Sequence, residues 1–350
     1  MTLIDNLRLR LPIIQAPMAG VSTPELAAAV SNEGALGSIG VGATNAAGAA
    51  IMIDDLRQRT QAAFNVNVFV HEAPHRDPVR EAAWLAALSP LFNDFAAEPP
   101  PTLATIYQSF GDDDDMLRLL VDRAPPVISF HFGLPDEAKV KALKQVGCAL
   151  IATATNLKEA ARAKRAGMDA VVAQGFEAGG HRGVFKPDED DACLGTMALT
   201  RLLVRRSGLP VIAAGGIMDG QGVRAVLDLG AVAAQLGTAF ITCPESAADE
   251  AYRSAIRSEA AQHTIMTKAI SGRPARCLRN GFTVWGEKAE AKAPDYPVAY
   301  DAGKALNAAA KAAGDTGFGA QWAGQGAPLS RSLGAAELVQ ALEREMAAEA

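Results

Sequence analysis

Residues 171–183 read Val-Val-Ala-Gln-Gly-Phe-Glu-Ala-Gly-Gly-His-Arg-Gly, an apolar run that stops in glycines carrying one imidazole. A buried strand that ends this way can deliver a reactive group to a ligand. Glycines let backbone approach a flat or phosphorylated molecule without a Cβ in the way, and His181 has an unperturbed pKa suited to proton transfer near neutrality. Taken alone, the stretch reads equally well as a glycine-rich turn with an incidental histidine. Two further runs shift the balance. Val211-Ile-Ala-Ala-Gly-Gly-Ile217 and Ala234-Gln-Leu-Gly-Thr238 are also apolar and end in small residues whose N–H groups can cradle a phosphate.

Working outward, short apolar runs alternate with alanine-rich helical patterns along most of the chain. The runs that read as strands are Pro12–Ala16, Ala35–Ile39, Phe64–Val70, Val127–Phe132, Ala149–Thr153, Asp169–Gln174, Pro210–Ala214 and Ala231–Gln235, eight in all. Between them, Thr23–Glu33 has a Thr-Pro start, and Leu157–Ala166 and Gln221–Leu229 are each followed by a glycine, Gly167 and Gly230. Eight nearly continuous apolar strands alternating with helices predict a parallel α/β sheet closed into a (β/α)8 TIM barrel. Functional groups then belong at the C-terminal ends of the strands, where Gln15–Met18, Asn67, His131, His181, Gly215-Gly216 and Gly237-Thr238 fall.

Two regions break the rhythm. Residues 71–126 are longer than an ordinary crossover and contain Pro99-Pro-Pro101 and the run Asp112–Asp115. Four aspartates invite a metal reading, but acidic residues opening a helix at Met116–Asp122 are favoured by the helix dipole. Residues 240–315 resume no strand alternation and read as a helical insertion over the barrel mouth, ending in a helix Tyr296–Ala313 with Tyr296, Tyr300 and Lys304 four apart on one face. The expected organisation is a barrel over 1–239, a substrate-side insertion over 240–315 and a segment 316–350 returning to the barrel.

Composition narrows the function classes. With 33 basic and 39 acidic residues the net charge is −6, which disfavours non-specific binding to nucleic acid or acidic membranes and favours a small-molecule ligand. Four cysteines, Cys148, Cys193, Cys243 and Cys277, stand far apart without a CxxC pair, as for reduced thiols in a cytoplasmic protein with no zinc site. The N-terminus has no signal-peptide pattern, and no apolar run is long enough to span a membrane. A homo-oligomer is compatible with this composition. In such barrels the loops after strands seven and eight commonly hold a phosphate, and here they carry Gly215-Gly216 and Gly237-Thr238. Thr238 adds a hydroxyl, and Asn67, Gln174 and Gln235 offer amides to a heterocycle's edge.

Four stretches resemble the motif set of class I nitronate monooxygenases: Pro12–Leu26 (PIIQAPMAGVSTPEL), Phe64–Val70 (FNVNVFV), Val127–Pro135 (VISFHFGLP) and Gly175–Phe185 (GFEAGGHRGVF). The Ala-Gly-Gly-His element is shared with flavin-dependent enoyl and quinone reductases, whereas Ser-Phe-His-Phe-Gly-Leu-Pro together with Tyr-Pro-Val-Ala-Tyr-Asp-Ala-Gly-Lys at 296–304 is more specific. The resemblance implies an FMN enzyme that oxidises anionic nitronates with O2 to a carbonyl compound and nitrite. It implies FMN contacts from Asn67, Gln174, Gly179, Gly215, Gly216, Gln235, Leu236, Gly237 and Thr238, with Pro17 and Met18 facing the ring system. It makes His181 the catalytic histidine. Tyr107, His131, Tyr252, Tyr296, Tyr300 and Lys304 are expected to line the substrate side, as in relatives acting on propionate 3-nitronate. The chain has no GxGxxG after a strand, which weakens an alternative on the same barrel, an NAD(P)H-dependent FMN reductase. A third reading is a non-redox barrel binding a phosphorylated metabolite.

Overall fold

The structure is a computed structural model that describes residues 3–348. In chain order its strands begin with β1 (Ile13–Gln15), β2 (Gly37–Gly40), β3 (Phe64–Phe69), β4 (Val127–His131), β5 (Ala149–Ala154) and β6 (Ala170–Gln174). They continue with the two-residue β7 (Gly180–His181), then β8 (Val211–Ala214) and β9 (Ala233–Leu236). All but β7 pair in parallel in the order β1-β9-β8-β6-β5-β4-β3-β2, and an Ile14–Leu36 bridge joins β1 to the start of β2. The eight-stranded sheet is therefore a (β/α)8 barrel. Every residue of β1, β2, β6 and β8 is buried, as strands covered on both faces require.

Ile14, Leu36, Val127, Ile151, Val172 and Ile212 belong to one apolar cluster, while Ile39, Val66, Val68, Ile128 and Phe130 pack in another with helix residues such as Ile53, Leu56 and Leu120. The caps read from sequence form: Thr23 Oγ1 accepts from Leu26 N at 3.0 Å at the start of Pro24–Asn32, and Gly167 and Gly230 follow Leu157–Arg165 and Gly220–Asp228 with φ of +82° and +97°. Asn156, which the sequence reading did not single out, caps Leu157–Arg165 by accepting from Glu159 N at 3.0 Å. The C-terminal helix Ala335–Ala347 packs against Gly220–Asp228 and Pro24–Asn32.

Above the barrel mouth the structure is richer than an all-helical insertion. Two strands, β10 (Thr264–Thr267) and β11 (Ala275–Leu278), form an antiparallel ribbon, and β11 also pairs with β7, placing Ala275 opposite His181 and Arg276 opposite Gly180. A helix at Pro78–Asp94, absent from the sequence reading, supplies Trp84, Leu88 and Phe92 to a core shared with Phe282, Val298, Ala302 and Leu306. Residues 71–126 are thus partly an element of the cover. The aspartate run opens a helix as expected, starting at Asp114 rather than Met116: Asp113 caps Asp114–Arg123 by accepting from Met116 N at 2.9 Å, Asp114 pairs with Lys139, and Asp115 pairs with Arg118. Among the described residues there is no cluster of His, Cys, Asp and Glu able to hold a metal, and no helix long and apolar enough to cross a membrane.

The last cover helix spans Val298–Ala312, with Pro297 as its N-cap residue, so Tyr296 precedes it. The four-residue spacing therefore does not place Tyr296 on the helix face with Tyr300 and Lys304. Proline disfavours helical backbone at the residue before it, which explains the late start.

Candidate active site

A cavity of about 780 Å³ opens at the C-terminal mouth of the barrel beneath this cover. Its floor includes Pro17, Met18, Asn67, Gln174, Gly179, Gly215, Gly216, Gln235, Gly237 and Thr238, and its far side includes Tyr107, His131, His181, Tyr252, Tyr296, Tyr300 and Lys304. The structure thus brings together every site residue expected from sequence except Leu236. That side chain is only 1% exposed and packs in the core with Val223, Phe240 and Leu338. Successive strand residues face opposite ways, so with Gln235 at the cavity Leu236 must turn to the helices.

His181 does not ride on a barrel strand. It follows the glycine turn after β6 and is held by many bonds. Its carbonyl accepts from Gln174 Nε2 at 3.0 Å and from His131 Nε2 at 3.1 Å. Gln174 Oε1 accepts from Gly183 N at 2.7 Å, so both ends of that amide bind the loop rather than remaining free for a heterocycle. Because His131 Nε2–H donates to a carbonyl, its Nδ1 must accept the Thr153 hydroxyl, 3.0 Å away. Both His131 nitrogens are thus hydrogen-bonded within the chain, and the ring borders the cavity. Behind the loop, Arg182 N donates to Pro274 O at 2.8 Å and its guanidinium pairs with Asp191 at 2.7 Å.

The His181 ring lies among aromatics, with centroids 5.1 Å from Trp322, 5.3 Å from Tyr296, 5.5 Å from Phe132 and 6.1 Å from Tyr300. Its Nε2 is 2.9 Å from Ser271 Oγ. Burial, then the neighbouring His131, Arg273 and His71, drive its pKa down to about 3, and burial drives His131 down to about 4. Both rings are neutral at pH 7. The buried phenols of Tyr252 and Tyr296 are pushed well above their usual range by burial and stay protonated. Tyr252 donates to Trp322 O, whereas the Tyr296 hydroxyl is buried without a partner. Lys304 Nζ sits 5.0 Å from the Tyr107 ring centroid and 5.7 Å from that of Tyr300, and no carboxylate among the described residues pairs with it.

Sequence reasoning missed Ser271, Arg273, Phe132 and Trp322. Arg273 is 3% exposed, pairs with no carboxylate among the described residues, donates to Val184 O and lies 4.2 Å from the Phe132 ring centroid. Phe132 carries a φ of +77°, a conformation bulky residues rarely adopt. The signal was the Phe-His-Phe-Gly run at the end of β4, read only for its histidine.

The partly buried imidazoles imply an acid-labile fold. Their folded-state pKa values lie below the unfolded value near 6.5, so below that pH the unfolded chain binds more protons. The stability they contribute is complete above pH 6.5 and is lost as pH falls toward the folded values. Denaturant titrations at pH 7 and pH 5 should differ by on the order of 2 kcal/mol per histidine, and His181→Asn should reduce the difference. An unchanged midpoint would show that the rings are not buried in neutral form.

A (β/α)8 barrel with a neutral histidine and an unpaired cation at its C-terminal mouth is the arrangement of an enzyme acting on a small, anionic molecule. The chain belongs to the nitronate monooxygenase family, whose model matches residues 1–345. It is similar to a nitronate monooxygenase of Paraburkholderia phytofirmans, 58% identical over 338 residues that cover 96% of this chain and 92% of the relative. A nitronate monooxygenase of Pseudomonas aeruginosa is 54% identical over 336 residues, 96% of each chain. Among solved structures, a nitroalkane oxidase from Streptomyces ansochromogenes superposes with a TM-score of 0.88 at 39% identity, covering 97% of this chain and 96% of that one.

Proposed function

We propose that the protein is an FMN-dependent enzyme that oxidises alkyl nitronates, propionate 3-nitronate among them, with O2 to a carbonyl compound and nitrite. The observation that carries this reading is Lys304, a cation without a counter-ion among the described residues, at a cavity that also presents protonated phenols and a neutral imidazole. An anion bearing a nitronate and a carboxylate supplies the charge this wall lacks.

The residues opposite suit FMN. The N–H groups of Gly216 and Gly237 donate to no acceptor in the chain among the described residues, and neither carries a side chain to cover them. Asn67 donates through Nδ2 to Ser129 Oγ at 2.9 Å and leaves Oδ1 at the cavity, and the Gln235 amide has no partner among the described residues. Gly216 and Gly237 would hold the phosphate, and Asn67 and Gln235 the ring edges. Gly179 has another cause for lacking a side chain: a Cβ there would lie 2.4 Å from Gly324 N. When bound, the flavin supplies the electron-accepting chemistry and the reaction with O2.

The chain's own contribution is placement and charge. Lys304 anchors the distal anionic end, the phenol walls exclude water, and His181 either hydrogen-bonds the nitro oxygens or takes the α-proton when a neutral nitroalkane is offered. The four unpaired thiols support a reducing, cytoplasmic setting.

The deciding experiment mixes the purified protein anaerobically with NADH or with a nitronate. Flavin reduction by nitronate alone, and nitrite formation once O2 is admitted, are expected; rapid bleaching by NADH would support the reductase instead, and a protein without flavin absorbance would remove both. The phosphate assignment has its own test. Gly216→Val and Gly237→Val are expected to give folded, colourless protein. Gly216 has a φ of +71°, so valine adds backbone strain there, whereas Gly237, at −109°, takes a side chain without it and tests ligand approach alone. Stoichiometric FMN in both variants would show the phosphate lies elsewhere.

A further inference from the structure

We infer that Ser271 is a positioning residue that holds His181 in its Nε2–H tautomer and so makes Nδ1 the atom that takes the α-proton of a neutral nitroalkane. The argument is a count of protons around one hydroxyl. Ser271 is 1% exposed, and its Oγ has three polar neighbours: Arg273 N at 3.4 Å, Arg273 O at 3.3 Å and His181 Nε2 at 2.9 Å. A serine hydroxyl has one proton to give and two lone pairs. The Arg273 amide can only donate, so it takes one lone pair. The Arg273 carbonyl can only accept, and within a buried turn it has no other donor among the described residues. Leaving a buried carbonyl unpaired costs more than reorienting a hydroxyl, so the Ser271 proton goes to that carbonyl. The remaining lone pair faces His181 Nε2, which must therefore carry hydrogen.

The other face of the ring agrees. The His181 side chain makes no second hydrogen bond among the described residues, and its Nδ1 is not among the buried unpartnered atoms, so its lone pair opens to the cavity. Desolvation keeps this partly buried ring neutral, so one nitrogen only is protonated. In the step proposed, the substrate's α-C–H bond breaks, its electron pair enters the nitro group to form the nitronate, and the proton goes to Nδ1. Ser271 then accepts the hydrogen bond of the imidazolium's Nε2–H without moving. The backbone between Ser271 and Arg273 continues into the pairing of β11 with β7, so one turn fixes both the ring and the strand that carries it.

This inference rests on the nitronate reading for the identity of the proton donor, but its first test does not use turnover. Side-chain 15N spectra of histidine-labelled protein at neutral pH, with the His181 signals assigned by their loss in His181→Asn, should show a protonated Nε2 and an unprotonated Nδ1. The reverse pattern overturns the proposal. Kinetics give the second arm. Ser271→Ala should lower kcat on a neutral nitroalkane by about ten- to a hundredfold, with a smaller change in KM and a smaller loss on the preformed nitronate. Ser271→Thr, which keeps the hydroxyl, should restore the Nε2–H pattern and most of the rate. Unchanged spectra and unchanged nitroalkane turnover in Ser271→Ala would overturn the assignment; should that variant not fold, the wild-type spectrum decides alone. Correct spectra in a protein that does not oxidise nitronates would instead refute the functional reading while leaving the tautomer in place.

Discussion

His181→Asn is expected to retain FMN and lose turnover by about 10²- to 10⁴-fold, the range for removal of a general acid–base group. Cofactor retention follows from the site's division of labour. The unpaired N–H groups belong to Gly216 and Gly237 at the ends of β8 and β9, whereas the imidazole belongs to a separate turn braced by Gln174 and His131. Asparagine keeps a hydrogen-bonding side chain near Ser271 but presents no basic nitrogen to the cavity. The loss should be larger on a neutral nitroalkane than on its preformed nitronate, because only the former needs a proton removed. Equal losses on both would eliminate proton abstraction and leave hydrogen bonding to the nitro oxygens as the duty of His181. A flavin-free variant would show that the imidazole also supports the cofactor site.

How much of this was readable beforehand depended on whether the cause was local. Val171–Gln174 and Val211–Ala214 announce themselves as buried strands because every residue between helices on one side and barrel interior on the other must be apolar or small. Position at a strand end then placed Asn67, Gln235 and the glycines at the mouth. Strand alternation turns the Leu236 side chain away from the cavity that Gln235 faces, a separation readable from the sequence itself. The helix Pro78–Asp94 was also within reach: Asp77-Pro78 is a start signal, and Trp84, Leu88 and Phe92 recur every four residues. Pro90 inside it and the prolines that follow masked the period. Other features had no local cause. The strands β10 and β11 are four residues each, β11 also pairs with the two-residue β7 through Ala275 and His181, far apart in the chain, and the hydrogen bond of Ser271 to His181 spans 90 residues. No sequence period reports a contact of that kind.

Lys304→Met is expected to separate two classes of substrate. The ammonium lies over the rings of Tyr107 and Tyr300, at 5.0 and 5.7 Å, and borders the cavity without a carboxylate partner among the described residues. An exposed lysine that served only the surface would change activity by no more than about twofold when lost, in keeping with the few tenths of a kcal/mol such charges contribute. The position over two phenol rings argues for more. Ring faces hold the ammonium toward the cavity without neutralising it, as a carboxylate would, so its charge remains available to a ligand. A charge-assisted hydrogen bond to the carboxylate of propionate 3-nitronate contributes roughly 1.5–3 kcal/mol, so kcat/KM on that substrate should fall on the order of ten- to a hundredfold. Simple alkyl nitronates have no carboxylate to lose and should respond much less. Methionine preserves the length and apolar stem, which keeps the packing on Tyr107 and Tyr300 and confines the change to charge. Steady-state kinetics on the two substrates decide the matter. An equal response on both, whether large or negligible, would remove Lys304 from carboxylate recognition and leave the phenols and His181 as the only groups selecting the substrate.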